Sequence, residues 1–212
     1  MTDSNKQEQA RWNGRFAAGG YLFGTAPNGF LAAQQHRLNP GMTALCVADG
    51  EGRNSVWLAQ QGLRVSAFDF SPVGLDKARR LAAQAGEGVA ERLNYAQADI
   101  EDWDWDGQTY DLVAAIFIQF LAPAARERVF LGMMRAMKPG GLLILQGYTP
   151  KQLEYKTGGP PQAENMYTAD SLRSSFAALE ILHLAEHEEM VDEGPGHRGR
   201  SALIDMVARR PA

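Results

Sequence analysis

The chain has 212 residues, 45% of them hydrophobic and 22% charged, with a formal net charge of −4. That length supports one α/β domain with a sizeable core, and a second full domain is not expected. The acidic balance argues against nucleic acid as a partner, while the single cysteine, Cys46, excludes an internal disulfide or a Cys-x-x-Cys metal site, and the four histidines lack metal-pair spacing.

Met1 to Asn13 is too polar for a signal peptide, and no apolar run reaches the ~20 residues that cross a bilayer. A cytoplasmic protein without a membrane partner, monomeric or homodimeric, is expected. Met1 to Ala10 reads as a frayed end or a solvated first helical turn. From Trp12 to Leu31 the chain turns aromatic and glycine-punctuated, with Phe16, Tyr21, Phe23, Gly24, Pro27, Asn28 and Phe30. Such a segment exposes an apolar patch unless it packs on the domain or closes over a ligand, which makes it a wall or a lid.

Leu31 to Leu38 reads as a short helix stopped by Asn39-Pro40-Gly41. Leu45 and Val47 then mark a buried strand that runs into Ala48-Asp49-Gly50-Glu51-Gly52, and Ser55 to Gln60 resumes with helical spacing. A glycine turn between strand and helix is where a nucleotide-like cofactor sits, because glycine allows close backbone approach. Arg64 to Phe68 is a second strand, and Asp69 stands at its carboxyl end, 19 residues after Gly50. In a parallel sheet that end faces the ligand, and an acid at about 20 residues from the turn can accept two ribose hydroxyls. Ser71 with Pro72 supplies the cap of the next helix, leaving Asp69 free for a ligand.

Pro72 to Ala85 is an amphipathic helix, and Leu93 to Ala98 a third strand that delivers Asp99 and Ile100 to the same rim. The acidic run Glu101 to Asp106 is a solvated connection anchored by Trp103 and Trp105. Tyr110 to Ile116 has the continuous apolar character of a buried strand, Arg126 to Met137 is a helix, and Leu142 to Gln146 is a fifth strand. Five strands alternating with helices predict a parallel sheet covered on both faces. Thr149 to Tyr167 is a long loop, Asp170 to Ala178 a short helix, and Leu179 to Val191 and Ala202 to Ala208 are closing strands joined by the loop Asp192 to Ser201.

This pattern resembles the class I S-adenosylmethionine-dependent methyltransferases. Gly50-Glu51-Gly52-Arg53-Asn54-Ser55, the preceding Trp12, Tyr21, Phe23-Gly24 and Pro27-Asn28-Gly29-Phe30-Leu31, and the later Thr157-Gly158-Gly159-Pro160 and Glu193-Gly194 with His197-Arg198-Gly199 resemble its small tellurite-resistance-type branch. The resemblance implies a Rossmann-like seven-stranded, mostly parallel α/β sheet with helices on both faces and a C-terminal antiparallel β-hairpin. It implies one domain, with residues 1–40 as the lid segment, 41–148 as the cofactor-binding core and 149–212 as substrate loop and hairpin. The implied cofactor is S-adenosylmethionine and the partner a small-molecule methyl acceptor.

Carried onto this sequence, Ala48, Asp49, Gly50 and Gly52 would wrap the methionine portion, and Asn54 would cap the turn or the cofactor. Asp69 would hold the ribose, Phe70 would flank the adenine, Asp99 and Ile100 would meet its amino group and ring, and Phe117 would lie near the methionine amine. The chain departs from the family turn at Cys46, where an acid is usual, and at Ala48, where glycine is usual. Asp49 is therefore the carboxylate available to the cofactor's ammonium, and Ala48 is expected to have negative φ. A thiolate or chalcogen acceptor needs no base, whereas an amine or hydroxyl can use one, and His197 in its glycine-bordered loop is the candidate. Tyr21, Tyr148 and Tyr155 are candidate walls of the acceptor pocket. A nicotinamide-dependent oxidoreductase would share the turn and Asp69, but Ser55 stands where its third glycine belongs. A non-catalytic cofactor-binding protein is the other alternative.

Overall fold

The structure is a computed structural model that describes the backbone from residue 3 to residue 212 and side chains from residue 5. It opens with α1 (Asp3–Ala17), a helix longer than the single turn read for the first ten residues. A glycine-rich connection leads to α2 (Gly29–Ala33), which begins where the Asn28 side chain accepts the Leu31 N–H, followed by a 3-10 turn at Gln35–Arg37. The expected continuous helix from Leu31 to Leu38 is thus split, because Asn28 caps it early and the chain tightens before Pro40.

The core then alternates: β1 (Thr43–Cys46), α3 (Arg53–Gln60), β2 (Arg64–Asp69), α4 (Pro72–Gln84), a short α5 (Glu87–Ala90), β3 (Leu93–Gln97), β4 (Tyr110–Ile116), α6 (Pro123–Arg135) and β5 (Met137–Tyr148). The α6 boundaries differ from those read in the sequence. Pro123 at the first helical position starts it earlier, and Met137 pairs with Tyr110 as the first residue of β5. A four-residue α7 (Gln152–Tyr155) and α8 (Ala169–Ser175) precede the hairpin of β6 (Glu180–Asp192) and β7 (Arg198–Arg209).

The seven strands are ordered β3-β2-β1-β4-β5-β7-β6. The first five are mutually parallel, and β7 enters antiparallel between β5 and β6. Alternation along the strands divides the core between the two faces. Leu45, Val113, Leu143 and Met206 pack with Phe130, Met133 and Phe176 from α6 and the α8 end, whereas Ala44, Cys46, Leu112 and Ile144 pack with Leu31 and Leu58 from α2 and α3. Strand order reverses direction between β1 and β4, so a crevice opens at the carboxyl ends of those two strands, the usual ligand position in such a sheet.

Candidate functional site

Two residues with left-handed backbone mark the crevice: Ala48 just after β1 at φ +49° and Phe117 just after β4 at φ +56°. The expectation of negative φ at Ala48 is therefore wrong. The turn keeps the shape that glycine would give it, and the alanine bears a strain of about 1–2 kcal/mol. Strained backbone of this kind gathers at ligand clamps. Gly50 at +62° and Gly52 at +90° complete the turn. Gly52 is also required by packing, since a Cβ there would lie 2.6 Å from the Ala78 Cβ of α4.

The two carboxylates of the turn region are both buried. Asp49 accepts the Ser55 N–H at 3.3 Å and the Ser55 hydroxyl, which also lies 3.1 Å from the Tyr95 hydroxyl. It is thus engaged at the N-terminus of α3. Burial pushes its carboxyl up to about 7 against the pull of Ser55. Asp69 was expected to be free because Ser71 caps α4. Ser71 does accept the Gly74 N–H, yet Asp69 is also engaged, with Gly50 N–H at 2.9 Å on one oxygen and Ser71 N–H at 2.8 Å on the other. Burial raises it to about 6 although the Ser71, Gly50 and Phe70 N–H groups oppose the shift. A carboxylate has about four acceptor positions, so these bonds still leave a position for a ligand hydroxyl.

Helix α1 lies along this rim. Asn5 Nδ2 donates to Asp99 at 2.8 Å, Gln9 Nε2 to the Phe70 carbonyl at 2.6 Å, and the Ser71 hydroxyl to Asn13 at 2.5 Å. Phe16 is 3% exposed beside Gly50 and Gly74. Ile100 is buried in the core cluster that includes Phe68, on which Trp103 stacks at 4.2 Å. The wall or lid expected of the N-terminal segment therefore has a defined seat.

At the other side of the crevice the β6–β7 loop folds inward. The structure brings His197 to the Phe117 ring, 4.5 Å between centroids, and to Tyr148 at 5.4 Å; it is 2% exposed. A solvated loop histidine is thereby ruled out. His197 Nδ1 lies 3.3 Å from Glu193 Oε2, and Arg53 Nη2 lies 2.7 Å from the same oxygen. Glu193 Oε1 accepts from Asn28 Nδ2 at 3.0 Å and from the Gly29 N–H at 3.1 Å. Asn54, expected to cap the turn or the cofactor, instead ties the start of α3 to the lid segment: its Oδ1 accepts the Asn28 N–H at 2.9 Å. Beyond Asn28 the buried chain continues through Gln146, at 2.6 Å, to Asp205 and His187.

Three buried polar atoms in this cluster have no hydrogen-bond partner within the protein: Arg53 Nη1, His197 Nε2 and Glu193 Oε2, the last held at ion-pair distance only. Buried polar atoms are rarely left so, which makes this cluster a candidate for completion by a ligand or ordered water. Arg53, Glu193, Asn28 and Gln146 were not singled out from the sequence as site residues. Arg53 was legible as a cation following a glycine turn; the others lie too far apart in sequence to signal one another. Tyr148 lies in this cluster, whereas Tyr21 contacts the α4 backbone through the Lys77 carbonyl and Tyr155 contacts Glu188 near the surface. Among the described residues no group of His, Cys, Asp and Glu is placed to hold a metal, and no helix is long and apolar enough to cross a membrane.

Residues 44–141 match the family described as a methyltransferase domain. An uncharacterised methyltransferase of Synechocystis is 31% identical over 118 residues, which is 54% of this chain and 51% of that protein. A demethylmenaquinone methyltransferase of Clavibacter sepedonicus is 33% identical over 106 residues, 50% of this chain and 40% of that protein. The matched region thus spans about half of these curated relatives or less. Among solved structures, one described by the conversion of a disulfide bond into a thioacetal group in echinomycin biosynthesis has a TM-score of 0.76 at 20% identity, covering 97% of this chain and 91% of that one. NodS of Bradyrhizobium japonicum in complex with S-adenosylhomocysteine scores 0.70 at 14% identity, covering 99% and 100%. TehB of Haemophilus influenzae scores 0.68 at 19% identity, covering 88% and 63%.

Proposed function

We propose, on the premise that this chain carries a class I methyltransferase domain and fold, that it transfers a methyl group from S-adenosylmethionine to a small-molecule acceptor, a soft nucleophile such as a thiol or a chalcogen oxyanion. The observation that carries the reading is the pair of buried, unpartnered atoms, Arg53 Nη1 and His197 Nε2, beside the turn at the sheet's switch point. A guanidinium nitrogen without an acceptor suits the carboxylate of an amino-acid-like ligand. Asp69 retains acceptor capacity for ribose hydroxyls. Phe70, Asp99 and Ile100 lie on the rim assigned to the adenine, and Ala48 to Gly52 with Asn54 and Phe117 line the remaining part. The residues present therefore fit the cofactor.

When bound, the cofactor supplies a methyl group on a positively charged sulfur that leaves as a neutral thioether. The chain has to place the acceptor in line and exclude water, which is most of what such a displacement demands. We assign that role to the wall of Phe117, Tyr148 and His197, whose rings pack against one another with His197 and Tyr148 buried. His197 is the general base for acceptors that carry a proton. The sulfur chemistry in the description of one solved neighbour is in keeping with a sulfur acceptor, as the N-methyltransferase NodS is with an amine, so the acceptor panel below includes both. The single buried, unpaired Cys46 suits a reducing compartment, and we place the protein in the cytoplasm.

Calorimetry with S-adenosylhomocysteine tests the cofactor, and Asp69→Asn is expected to weaken binding by about 1.5–3 kcal/mol, the range for hydrogen bonds to a charged group. Unchanged affinity removes Asp69 from the site. A thermal shift with NAD and none with S-adenosylmethionine overturns the reading in favour of an oxidoreductase. Release of S-adenosylhomocysteine across a panel of thiols, chalcogen oxyanions, halides and amines identifies the acceptor; cofactor binding with no turnover on any of them points to a binding protein.

A further inference from the structure

Glu193 is placed at a junction that the transfer reaction alone does not explain. It stands on the loop between β6 and β7, yet its two oxygens reach three other segments: Oε1 the lid turn at Asn28 and Gly29, Oε2 the start of α3 at Arg53 and its own loop at His197. The loop is held in that pose by its backbone. Glu193 N–H donates to the His197 carbonyl at 2.9 Å and Gly196 N–H to the Leu22 carbonyl at 2.7 Å. A Cβ on Gly194 would come within 2.4 Å of the Gly24 nitrogen, so loop and lid segment are in direct backbone contact.

A carboxylate fixes what its neighbours must be. The His197 Nδ1–Glu193 Oε2 contact, 3.3 Å, is an ion-pair distance outside good hydrogen-bond geometry, and it favours a proton on that ring nitrogen because a lone pair there would face the oxygen's own lone pairs. With the proton on Nδ1, the lone pair of a neutral His197 is on Nε2, the buried atom that lacks a partner.

We propose that Glu193 is the positioning residue of this site: it sets His197 in the Nδ1–H tautomer with Nε2 free to take a proton, and, by holding Asn28 and Gly29 on its other oxygen, it does so only when the N-terminal segment is seated. The inference rests on the transferase reading for its use but not for its geometry. In the reaction, the acceptor's heteroatom forms the new bond to the methyl carbon while the old bond breaks with its pair going to sulfur. Where the acceptor carries a proton, that proton passes to His197 Nε2 and from there to solvent on opening. The other titratable or charged groups packed around the ring are Arg53 and Tyr148. Burial acts to raise the Glu193 carboxyl, but His197, Arg53 and the Gly29 N–H outweigh it and hold it at about 2, so it is an anion throughout the working range.

The test is long-range 1H–15N correlation of histidine-labelled protein above the pH at which the rings titrate, with His197 assigned by its loss in His197→Gln. The wild-type protein is expected to show the Nδ1–H tautomer, and Glu193→Gln a shift toward Nε2–H or a mixture. A wild-type Nε2–H tautomer overturns the proposal without any variant being required, as does a pattern unchanged in a folded Glu193→Gln protein. Asn28→Ala, which frees one Glu193 oxygen from the lid, is expected to give a partial shift; none at all removes the coupling to the N-terminal segment. S-adenosylhomocysteine calorimetry on the same samples separates the two failures. Retained binding with the wrong tautomer refutes the positioning role alone, whereas no binding to wild-type protein refutes the transferase reading and leaves the tautomer result standing.

Discussion

Ala48 shows how a single backbone angle can be decided by its surroundings. At φ +49° it occupies a region costly for any residue with a Cβ, yet the strand before it and Asp49, whose N–H is held by the Phe68 carbonyl at 3.0 Å, leave no other path. Replacing it with glycine removes the strain of about 1–2 kcal/mol but adds about 0.5–1 kcal/mol of unfolded-chain entropy. Ala48→Gly should therefore gain about 0.5–1 kcal/mol, a rise in melting temperature of about 1–4 °C for a domain of this size. An equal or lower melting temperature by calorimetry would show that the turn relaxes without the alanine's help. Sequence could identify the position as unusual but assigned it the wrong sign of φ, because the residue type was weighed alone and the two neighbours that fix the turn were not.

Helix α1 presents the corresponding question for an element. It is polar, with only Phe16 among its described side chains buried, and its seat rests on Gln9 and Asn13 gripping Phe70 and Ser71. Few buried apolar contacts and three side-chain hydrogen bonds, that of Asn5 to Asp99 included, describe an element near the low end of local stability. In the double variant Gln9→Ala, Asn13→Ala the loss of about 1–2 kcal/mol should speed amide exchange in α1 by about 5–30-fold while β1 and β4 keep their protection. Exchange that rises equally in β1 would mean that α1 is part of the global cooperative unit. The same contrast explains what was legible. Strands β1, β2 and β4 and the helix α4 announce themselves through continuous or periodic apolar runs, and Asp69 through its spacing from Gly50. Helix α1 carries no such stripe, and the split of α2 depends on one side-chain cap at Asn28. The Glu193 cluster is built from polar residues on three segments, joined by contacts that leave no period in the sequence.

The protein as a unit carries an unusual pH response in its buried acids. Asp49 and Asp69, ordinarily near 3.8, are raised to about 7 and about 6, so between those limits the folded state binds more protons than the unfolded chain. Their contribution to stability is fully present below about 3.8 and is lost as pH rises through 6 and 7. Glu193 works in the opposite sense: lowered to about 2, it stabilises above 4.5 and that gain disappears only as pH falls toward 2. From these groups the folded state should be firmest in mildly acidic solution, with melting temperature declining from about pH 5 to pH 8. Asp49→Asn should make the decline shallower, and a slope identical to that of the wild-type protein would mean that Asp49 is not the group responsible. The contact between Asn28 and Glu193 also spans 165 positions of chain. At the roughly 5–20 residues per second of ribosomal synthesis, Asn28 exists for on the order of 10–30 s before its partner is made. Over the last part of that interval, about 2–9 s between Tyr148 and Glu193, the parallel strands β1 to β5 have all been made while Glu193 and His197 have not, so a nascent chain can possess its parallel strands before it possesses the cluster that faces them.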